Sequence, residues 1–363
     1  MIRRFACALA ATSVLSFTAV AEEGFVELFD GKTLGGWVNI NGAPDTWSVK
    51  DGVIYCTGKP ICALRTERQY QNFVLELDWR HLKSGGNAGL FLWASAVAAQ
   101  GQPFLRAVEV QVLDHGYGNT ASHTTHGDVF PIHGSTMKPF GPHRGQRSFP
   151  TEKRSKASPE WNHYRVECKD GTLRLHVNGK EVSGGSDCVW RKGYIGLESE
   201  GSPVEFKNIR IKELPGGELK AGMAAPEETG FETLYTGTGL AGWDAAKGWK
   251  AADWQLRTAE GGTLWSERAF GDGELILDVN AKKGTQVGVV LRGDDGTSIK
   301  WAANGSWQRT RVKIGGGEII LSDANGKEEG RLRLDAADPP VGKIGLRAAA
   351  GARFANIYFR PAG

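Results

Sequence analysis

The chain has 363 residues, which is enough for two domains that each bury a core of their own. Its net charge is only +3, and acidic and basic residues are mixed along the sequence, so neither nucleic acid nor an anionic membrane surface is expected as a partner. The 50 glycines and 12 tryptophans, together with short β-branched runs, favour an all-β protein of short strands.

The N-terminus predicts a secretory signal peptide over residues 1–21. Two arginines precede an apolar run, and Ala19, Val20 and Ala21 form a small-residue cleavage site before Glu22. The apolar run is too short for a membrane anchor. We therefore expect a secreted or periplasmic protein without a membrane span.

Four cysteines follow this peptide, in a chain expected to enter an oxidising compartment. They allow three pairings. We favour the local ones, Cys56 with Cys62 and Cys168 with Cys188. A zinc site is the alternative, but both spacings are wider than zinc motifs usually have.

The sequence repeats itself, and five motifs recur in the same order. The first and last pairs are "GFVELFDGKTLGGW" (24–37) with "GFETLYTGTGLAGW" (230–243), and "GYIGLESEGSPVEFKNIRI" (193–211) with "GKIGLRAAAGARFANIYF" (342–359). Such a series predicts a duplicated domain. We assign a first domain to 22–214, a Pro- and Gly-containing linker to 215–229, and a degenerate second copy to 230–363.

The hydrophobic period within each copy is two. In "NAGLFLW" the residues Asn87, Phe91 and Trp93 share one face, and the apolar residues between them share the other. No long stretch has helical periodicity. The pattern therefore predicts two β-sandwiches in tandem, each with one apolar layer between its sheets.

The stretch "AVEVQVLDH" (107–115) predicts a half-buried strand. Val108, Val110 and Val112 would face a core, whereas Glu109 and Gln111 would line the opposite face. A solvated sheet face is the simplest explanation of such alternation. The comparison with the second copy, given next, instead favours a functional role for the polar face of this strand.

The second copy lacks the long block 94–159 that contains this strand. Five of the eight histidines lie in that block. Long loops on a rigid β scaffold commonly carry function, so we expect Glu109, Gln111, Asp114 and the histidine-rich loop to serve chemistry or binding. A basic run in the same block is expected to be a solvated loop, and it contains Arg144, Arg147, Lys153, Arg154 and Lys156.

Six motifs in order, "ELFDGKTLGGW", "GGNAGLFLW", "EVQVLDH", "EWNHYRV", "VNGK" and "GYIGLESEG", resemble the secreted 3-keto-disaccharide hydrolase (3-keto-glucoside 1,2-lyase) domain family. The resemblance covers 24–214 well and 230–360 more weakly. It implies concanavalin/laminin-G-like jelly-roll sandwiches with a saccharide site on a concave sheet. It also implies a substrate, an oxidised disaccharide, that a separate enzyme has oxidised at C3.

A ketone at C3 acidifies the proton on C2, so a base can remove it and the glycosidic oxygen at C1 can leave, after which water adds. Such a site needs a base, an enolate stabiliser and an acid. Glu109 is the first candidate for acid or base, with His126 or His133 as the alternative. The residues expected to bind the sugar are Asn87, Phe91, Trp93, Gln111, Asp114, His115 and Lys153. For the two aromatic residues, packing under the insertion is an equally good explanation.

The segment "HTTHGDVFPIH" contains candidate ligands for a divalent metal ion, although no cofactor is required. His123, His126, Asp128 and His133 offer imidazole and carboxylate ligands that could polarise the ketone. Their spacing is not specific for a metal.

Two other functions compete with the keto-glycoside reaction. A conventional glycoside hydrolase needs two carboxylates flanking the bond, but Glu109 and Asp114 would lie on opposite faces of a regular strand. A non-catalytic carbohydrate-binding protein would use the same polar, aromatic face.

Overall fold

The computed structural model describes residues 24–244, 246–293, 296–334 and 337–363, and the predicted signal peptide lies outside these ranges. Within them the protein is all-β, with four antiparallel sheets that form two sandwiches, which confirms the predicted fold class. A short 3-10 helix spans His115–Tyr117. No helix in the described residues is long and apolar enough to cross a membrane.

The first sandwich consists of strands β1 to β17. Their bounds are Val26–Glu27 (β1), Trp37–Ile40 (β2), Trp47–Lys50 (β3), Val53–Cys56 (β4), Cys62–Thr66 (β5), Asn72–His81 (β6), Asn87–Ala94 (β7), Ala107–Leu113 (β8), Val129–Ile132 (β9), Thr136–Pro139 (β10), His143–Arg144 (β11), Arg147–Ser148 (β12), Asn162–Lys169 (β13), Thr172–Val177 (β14), Lys180–Val189 (β15), Tyr194–Ser199 (β16) and Val204–Leu214 (β17). Sheet I has the order β10-β15-β14-β13-β6-β17-β4-β3, with β1 beside β17, and sheet II has the order β11-β12-β9-β8-β7-β16-β5-β2.

The second sandwich consists of strands β18 to β29. Their bounds are Glu232–Thr233 (β18), Trp249–Ala252 (β19), Gln255–Thr258 (β20), Gly262–Phe270 (β21), Gly273–Asn280 (β22), Gln286–Val290 (β23), Ser298–Ala302 (β24), Gln308–Gly315 (β25), Glu318–Ser322 (β26), Glu328–Arg333 (β27), Gly342–Ala348 (β28) and Arg353–Pro361 (β29). Sheet III has the order β19-β20-β29-β22-β25-β26-β27, with β18 beside β29, and sheet IV has the order β21-β28-β23-β24.

The two sandwiches share one strand order. Sheet IV repeats the stretch β5-β16-β7-β8 of sheet II, and sheet III repeats the stretch β3-β4-β17-β6-β13-β14-β15 of sheet I. The expectation that the second copy has no counterpart of the strand at 107–113 is therefore wrong, because β24 takes the position of β8. In the described part of the second sandwich, the missing strands are the counterparts of β2 and of β9 to β12, and at the place of β2 there is only a single bridge between Trp243 and Ser266.

Strand β8 has the predicted two faces. Val108, Val110 and Val112 are buried in the apolar layer between sheets I and II. Alternation forces Glu109 and Gln111 to the outer face of sheet II. Side chains alternate between the two faces in the same way along β7 as far as Trp93, where a φ of 51° reverses the direction of the side chain.

A third apolar cluster, which the sequence did not predict, joins the two sandwiches. Phe91, Leu105 and Tyr194 of the first domain pack there with Ile276 and Tyr358 of the second. Buried side chains of the two domains thus pack against each other, in addition to the covalent linker between the domains.

The predicted disulfides are wrong in this structure, because all four cysteines are buried free thiols. Burial raises the pKa of Cys56 to about 11 and the pKa of Cys188 to about 12, so both stay protonated at neutral pH. The members of each predicted pair do lie near each other, since Cys56 contributes to the raised pKa of Cys62 and Cys188 contributes to the raised pKa of Cys168.

Candidate active site

An open pocket of about 450 Å³ lies on the outer face of sheet II. Three neighbouring strands supply its floor, because β8, β7 and β16 are hydrogen-bonded in that order. Their outward residues are polar where the inward ones are apolar. The floor of the pocket is therefore formed by paired strands and not by a loop.

Glu109 and Gln111 enter this pocket from β8, as predicted. Only 6% of each residue is exposed, so both are far more buried than a solvated face would be. The Gln111 Nε2 donates to Asn87 Oδ1 over 2.9 Å, which joins β8 to β7 across the floor. Among the described residues no group donates a hydrogen bond to the Glu109 carboxyl, so both of its oxygens are free for a ligand.

Two further glutamates that the sequence did not predict line the pocket, Glu198 on β16 and Glu200 directly after that strand. Glu198 is 1% exposed, and its Oε2 is buried without a hydrogen-bond partner. Glu200 hydrogen-bonds Glu198 and accepts from Asn87 Nδ2. Their spacing of two in "GLESEG" is the signal that could have placed both on the face of Glu109.

Gly89 on β7 creates the space in which these carboxyl groups meet. A Cβ atom added at Gly89 would lie 2.8 Å from Glu198 Oε2 and 2.9 Å from Glu109 Oε1. Since any larger residue would displace both oxygens, the absence of a side chain here lets two carboxyl groups from different strands face each other.

The cluster holds its protons more tightly than isolated carboxyl groups do. Burial raises the pKa of Glu109 to about 8, and the negative charge of Glu200 adds to the effect. Burial, and then repulsion from Glu109, raises the pKa of Glu198 well above its usual range. Burial also raises the pKa of Glu200, although its hydrogen bonds from Glu198 and Asn87 favour the ionised form.

The three groups therefore titrate as a unit that carries fewer than three charges at neutral pH. A protonated carboxyl group and an ionised one then coexist in one pocket. Such a pair can donate and accept protons in the same reaction cycle.

Arg147 on β12 supplies the cation of the pocket. Its guanidinium donates to Asp128 over 2.9 Å, lies 3.4 Å from the centre of the Phe130 ring, and acts against the raised pKa of Glu109. The expectation that the whole basic run is a solvated loop is thus wrong for Arg147. Pairing of β12 with β9 carries it to the pocket wall.

The predicted histidines separate into two groups. His123 and His133 line the pocket. His126 does not, because it is buried beside Ser155, whose Oγ is 2.8 Å from His126 Nδ1. Burial, with the charges of His115 and Lys153, lowers the pKa of His126 to about 4, so it is neutral at physiological pH.

The candidate metal ligands do not converge. Within the described ranges no group of three or more His, Cys, Asp or Glu side chains is arranged to hold a metal ion. Asp128 instead pairs with Arg147 and Thr124. His123 Nε2 lies 3.0 Å from the Gly118 carbonyl oxygen.

The predicted stacking residues Phe91 and Trp93 do not line the pocket. Phe91 is buried in the cluster between the domains, and Trp93 turns into the core, where its indole donates to the Gln71 carbonyl. The aromatic walls are instead provided by Phe104 of the loop before β8, Tyr117 of the 3-10 helix and Phe130 of β9.

The remaining predicted binding residues lie outside the pocket. Asp114 accepts from the backbone N–H groups of Gly85 and Ser158, each over 2.6 Å, so it fixes a turn. His115 hydrogen-bonds Ser155, and Lys153 is exposed.

Two carboxyl groups that face each other in an open pocket are the arrangement that glycoside hydrolases use. Residues 24–212 match the family model described as the 3-keto-alpha-glucoside-1,2-lyase-like domain, and the chain belongs to this family. A 3-keto-disaccharide hydrolase from Bacteroides thetaiotaomicron is 25% identical over an alignment of 251 residues, and the match covers 54% of this chain and 80% of that protein. Membership of this family implies a sugar substrate.

Solved structures with a similar backbone fold include two carbohydrate-related proteins. One, from Parabacteroides distasonis and provisionally named a glycosyl hydrolase, is 24% identical, with a TM-score of 0.41 over 53% of this chain and 95% of that one. The other, the carbohydrate-binding module CBM66 from Bacillus subtilis, is 14% identical, with a TM-score of 0.36 over 49% of this chain and 96% of that one.

Proposed function

We propose that the first domain cleaves glycosides oxidised at C3, by β-elimination and then hydration. The observation that carries the proposal is the carboxyl cluster of Glu109, Glu198 and Glu200, which presents acid and base forms together in a pocket that a sugar ring can enter. Family membership supports the substrate class. The substrate would come from a separate reaction that oxidises the C3 hydroxyl.

In the elimination step, a base removes the C2 proton and the bond between C1 and the glycosidic oxygen breaks. Glu200 is the member whose hydrogen bonds favour ionisation, so we assign it as the base. Glu109, with its pKa near 8, is mostly protonated at neutral pH and gives its proton to the leaving oxygen. Arg147 supplies positive charge for the enolate oxygen that forms at C3.

In the hydration step, the proton transfers run in reverse. Water adds its oxygen to C1, the ionised Glu109 takes a proton from that water, and Glu200 returns a proton to C2. The net change is one water consumed, with a free 3-keto sugar and an alcohol formed. Both carboxyl groups recover their starting protonation states.

His133 is the remaining imidazole candidate for acid or base, because it lines the pocket and His126 does not. Burial lowers the pKa of His133, so it acts as a neutral hydrogen-bonding group at physiological pH. Gln111 and Asn87 bind sugar hydroxyls in this proposal. Secretion stays a prediction from residues 1–21, which lie outside the described ranges.

The test is an assay of one disaccharide in its intact and its C3-oxidised form. We expect turnover of the oxidised form alone, and a loss of about 10²- to 10⁴-fold for Glu200→Gln. Glu267→Gln is the matched control, since Glu267 is exposed on β21 of the second domain. Equal turnover by Glu200→Gln and wild type would remove Glu200 from the mechanism.

A conventional glycoside hydrolase is the second candidate, because Glu109 and Glu198 face each other across Gly89. It would cleave the intact disaccharide. A binding protein would cleave neither form. The same assay therefore separates all three functions.

A further inference from the structure

A second pocket, of about 220 Å³, lies between the two domains next to the candidate active site. His133 belongs to both pockets, so the two spaces adjoin. The first domain provides Arg106 and Trp190 to the second pocket, and the second domain provides Arg311 and Asn325. A ligand that fills the active site has this space directly beside it.

One wall of this interdomain pocket is the loop 95–106, which the second domain holds in place. Asn356 Nδ2 donates to the carbonyl oxygens of Ala99 and Gln102 over 3.1 and 2.9 Å. The backbone N–H of Gly101 donates to Asp278 Oδ2 over 2.8 Å. The same loop carries Phe104, which lines the active site, so the second domain also supports that site's wall.

Two of the three arginines that line the interdomain pocket form ion pairs. Arg309 pairs with Asp278 over 2.7 Å, and Arg311 pairs with Glu228 and Glu274. Each of these cations thus has a carboxylate partner of its own.

Arg106 differs from both. Its guanidinium lies 3.9 Å from the centre of the Trp190 ring, and its Nε is buried with no hydrogen-bond acceptor. In the described part of the chain no carboxylate pairs with it. A guanidinium that stacks on an aromatic ring and has N–H groups without acceptors is suited to hydrogen-bond a carboxylate of a ligand.

We propose that the interdomain pocket binds the leaving group of the substrate, and that Arg106 there hydrogen-bonds a carboxylate, so that glycosides of acidic sugars are preferred. The proposal rests on the proposed function, in which the 3-keto ring occupies the first pocket and the leaving group extends from its C1. The position of His133 between the pockets marks where the bond to be broken would lie.

The experiment uses three C3-oxidised glucosides that differ only in the leaving group: methanol, glucose or glucuronic acid. For the wild type we expect kcat/KM to be about 10- to 100-fold higher for the glucuronic acid compound than for the glucose compound. In Arg106→Gln this ratio should fall close to one, and in Arg106→Lys, which keeps the charge without the planar fork, it should be intermediate. Arg257→Gln, at an exposed position on β20, is the matched control and should keep the wild-type ratio.

The methyl compound separates failure of this proposal from failure of the proposed function, since methanol is too small to reach the second pocket. Turnover of the methyl compound without any preference for glucuronic acid would overturn the leaving-group subsite alone. If none of the three is cleaved, calorimetric titration with glucuronate and with glucose still decides. Glucuronate binding that Arg106→Gln abolishes supports the subsite, and binding that Arg106→Gln leaves unchanged overturns it. Thermal melts of each variant verify that it is folded.

Discussion

The two sandwiches have the same strand order but opposite chemistry at equivalent positions. The pairing registers place Gly288 at the position of Gly89, so both copies have a glycine at the centre of the outer face. Around that glycine the second copy has Ser298 for Glu109 and Arg347 for Glu198.

The remaining polar positions change as well. Lys300 takes the place of Gln111, and Ala349 takes the place of Glu200. Arg347 Nη1 of β28 donates to Ser298 Oγ of β24 over 3.1 Å, so the second copy makes the equivalent of the contact between β16 and β8, but as an ordinary hydrogen bond. The scaffold thus brings two side chains together, and their identity decides whether proton transfer is possible.

The largest expected effect tests the scaffold. Val110→Asp places a charge in the apolar layer between sheets I and II, where Val110 is fully buried, and should destabilise the first domain by at least about 4 kcal/mol. Val26→Asp is the control, since Val26 is 66% exposed and should change little. Thermal melts measure both. If Val110→Asp melts like the wild type, the assignment of the two faces of β8 is inverted.

The next effect tests the chemistry. Glu109→Gln keeps the shape of the side chain and removes its proton transfer, so turnover of a C3-oxidised disaccharide should fall by about 10²- to 10⁴-fold while the fold is kept. Ser298→Ala, at the equivalent position of the second domain, should leave turnover unchanged. Full activity of Glu109→Gln would direct the search for the acid to His133.

The two central glycines sharpen the comparison. A Cβ at Gly89 meets only the ends of glutamate side chains, so Gly89→Ala should fold and lose about 10²-fold in turnover through displaced carboxyl groups. A Cβ at Gly288 would lie 2.0 Å from the backbone oxygen of Ile299, so Gly288→Ala should cost about 1–3 kcal/mol of stability and spare the chemistry. Melts and kinetics on both variants are needed, and the reverse outcome would contradict the different roles assigned to the two glycines.

The smallest effect, when it is measured per pH unit, is that of pH on stability. The pKa of Glu109 rises from 4.5 to about 8 on folding, so between these values the folded protein holds a proton that the unfolded chain has released. Stability of the wild type therefore falls as pH rises through this window, and Glu109→Gln does not share the loss. Its advantage should grow by up to about 1.4 kcal/mol per pH unit between 4.5 and 8 and then stay constant. Denaturant unfolding at several pH values measures it, and a difference that does not depend on pH would show that Glu109 is not protonated by burial.

Sequence patterns predicted the parts of the site that follow from one strand alone. Alternation along β8 placed Glu109 and Gln111 on the outer face, because side-chain direction depends only on the period of two. Glu198 lies 89 residues away in sequence and reaches Glu109 only through the pairing order of β8, β7 and β16, which no single stretch encodes. A direct comparison of "GLESEG" with "GLRAAA" would have shown that the repeats differ there.

The errors have local physical causes. The period of two predicts an outward side chain for Trp93, but the positive φ of this residue turns the side chain inwards. The histidine-rich loop predicts a functional role for His126, yet this side chain is buried beside Ser155 and lies outside the pocket. Arg147 lies in a charged run, and only the pairing of a two-residue strand brings it to the site.

The most direct test of the elimination mechanism is cleavage of a C3-oxidised disaccharide in deuterated water, followed by NMR of the released 3-keto sugar. If the proton on Glu200 exchanges with solvent before it returns, the wild type incorporates one deuterium at C2 during turnover, and Glu200→Gln incorporates none; a substrate that carries deuterium at C2 should in either case be cleaved more slowly by the wild type. The free product, incubated with the enzyme for the same time, corrects for exchange after release. Cleavage that leaves the original hydrogen at C2, and that is no slower for a substrate carrying deuterium at C2, would contradict elimination and assign the carboxyl cluster to direct hydrolysis.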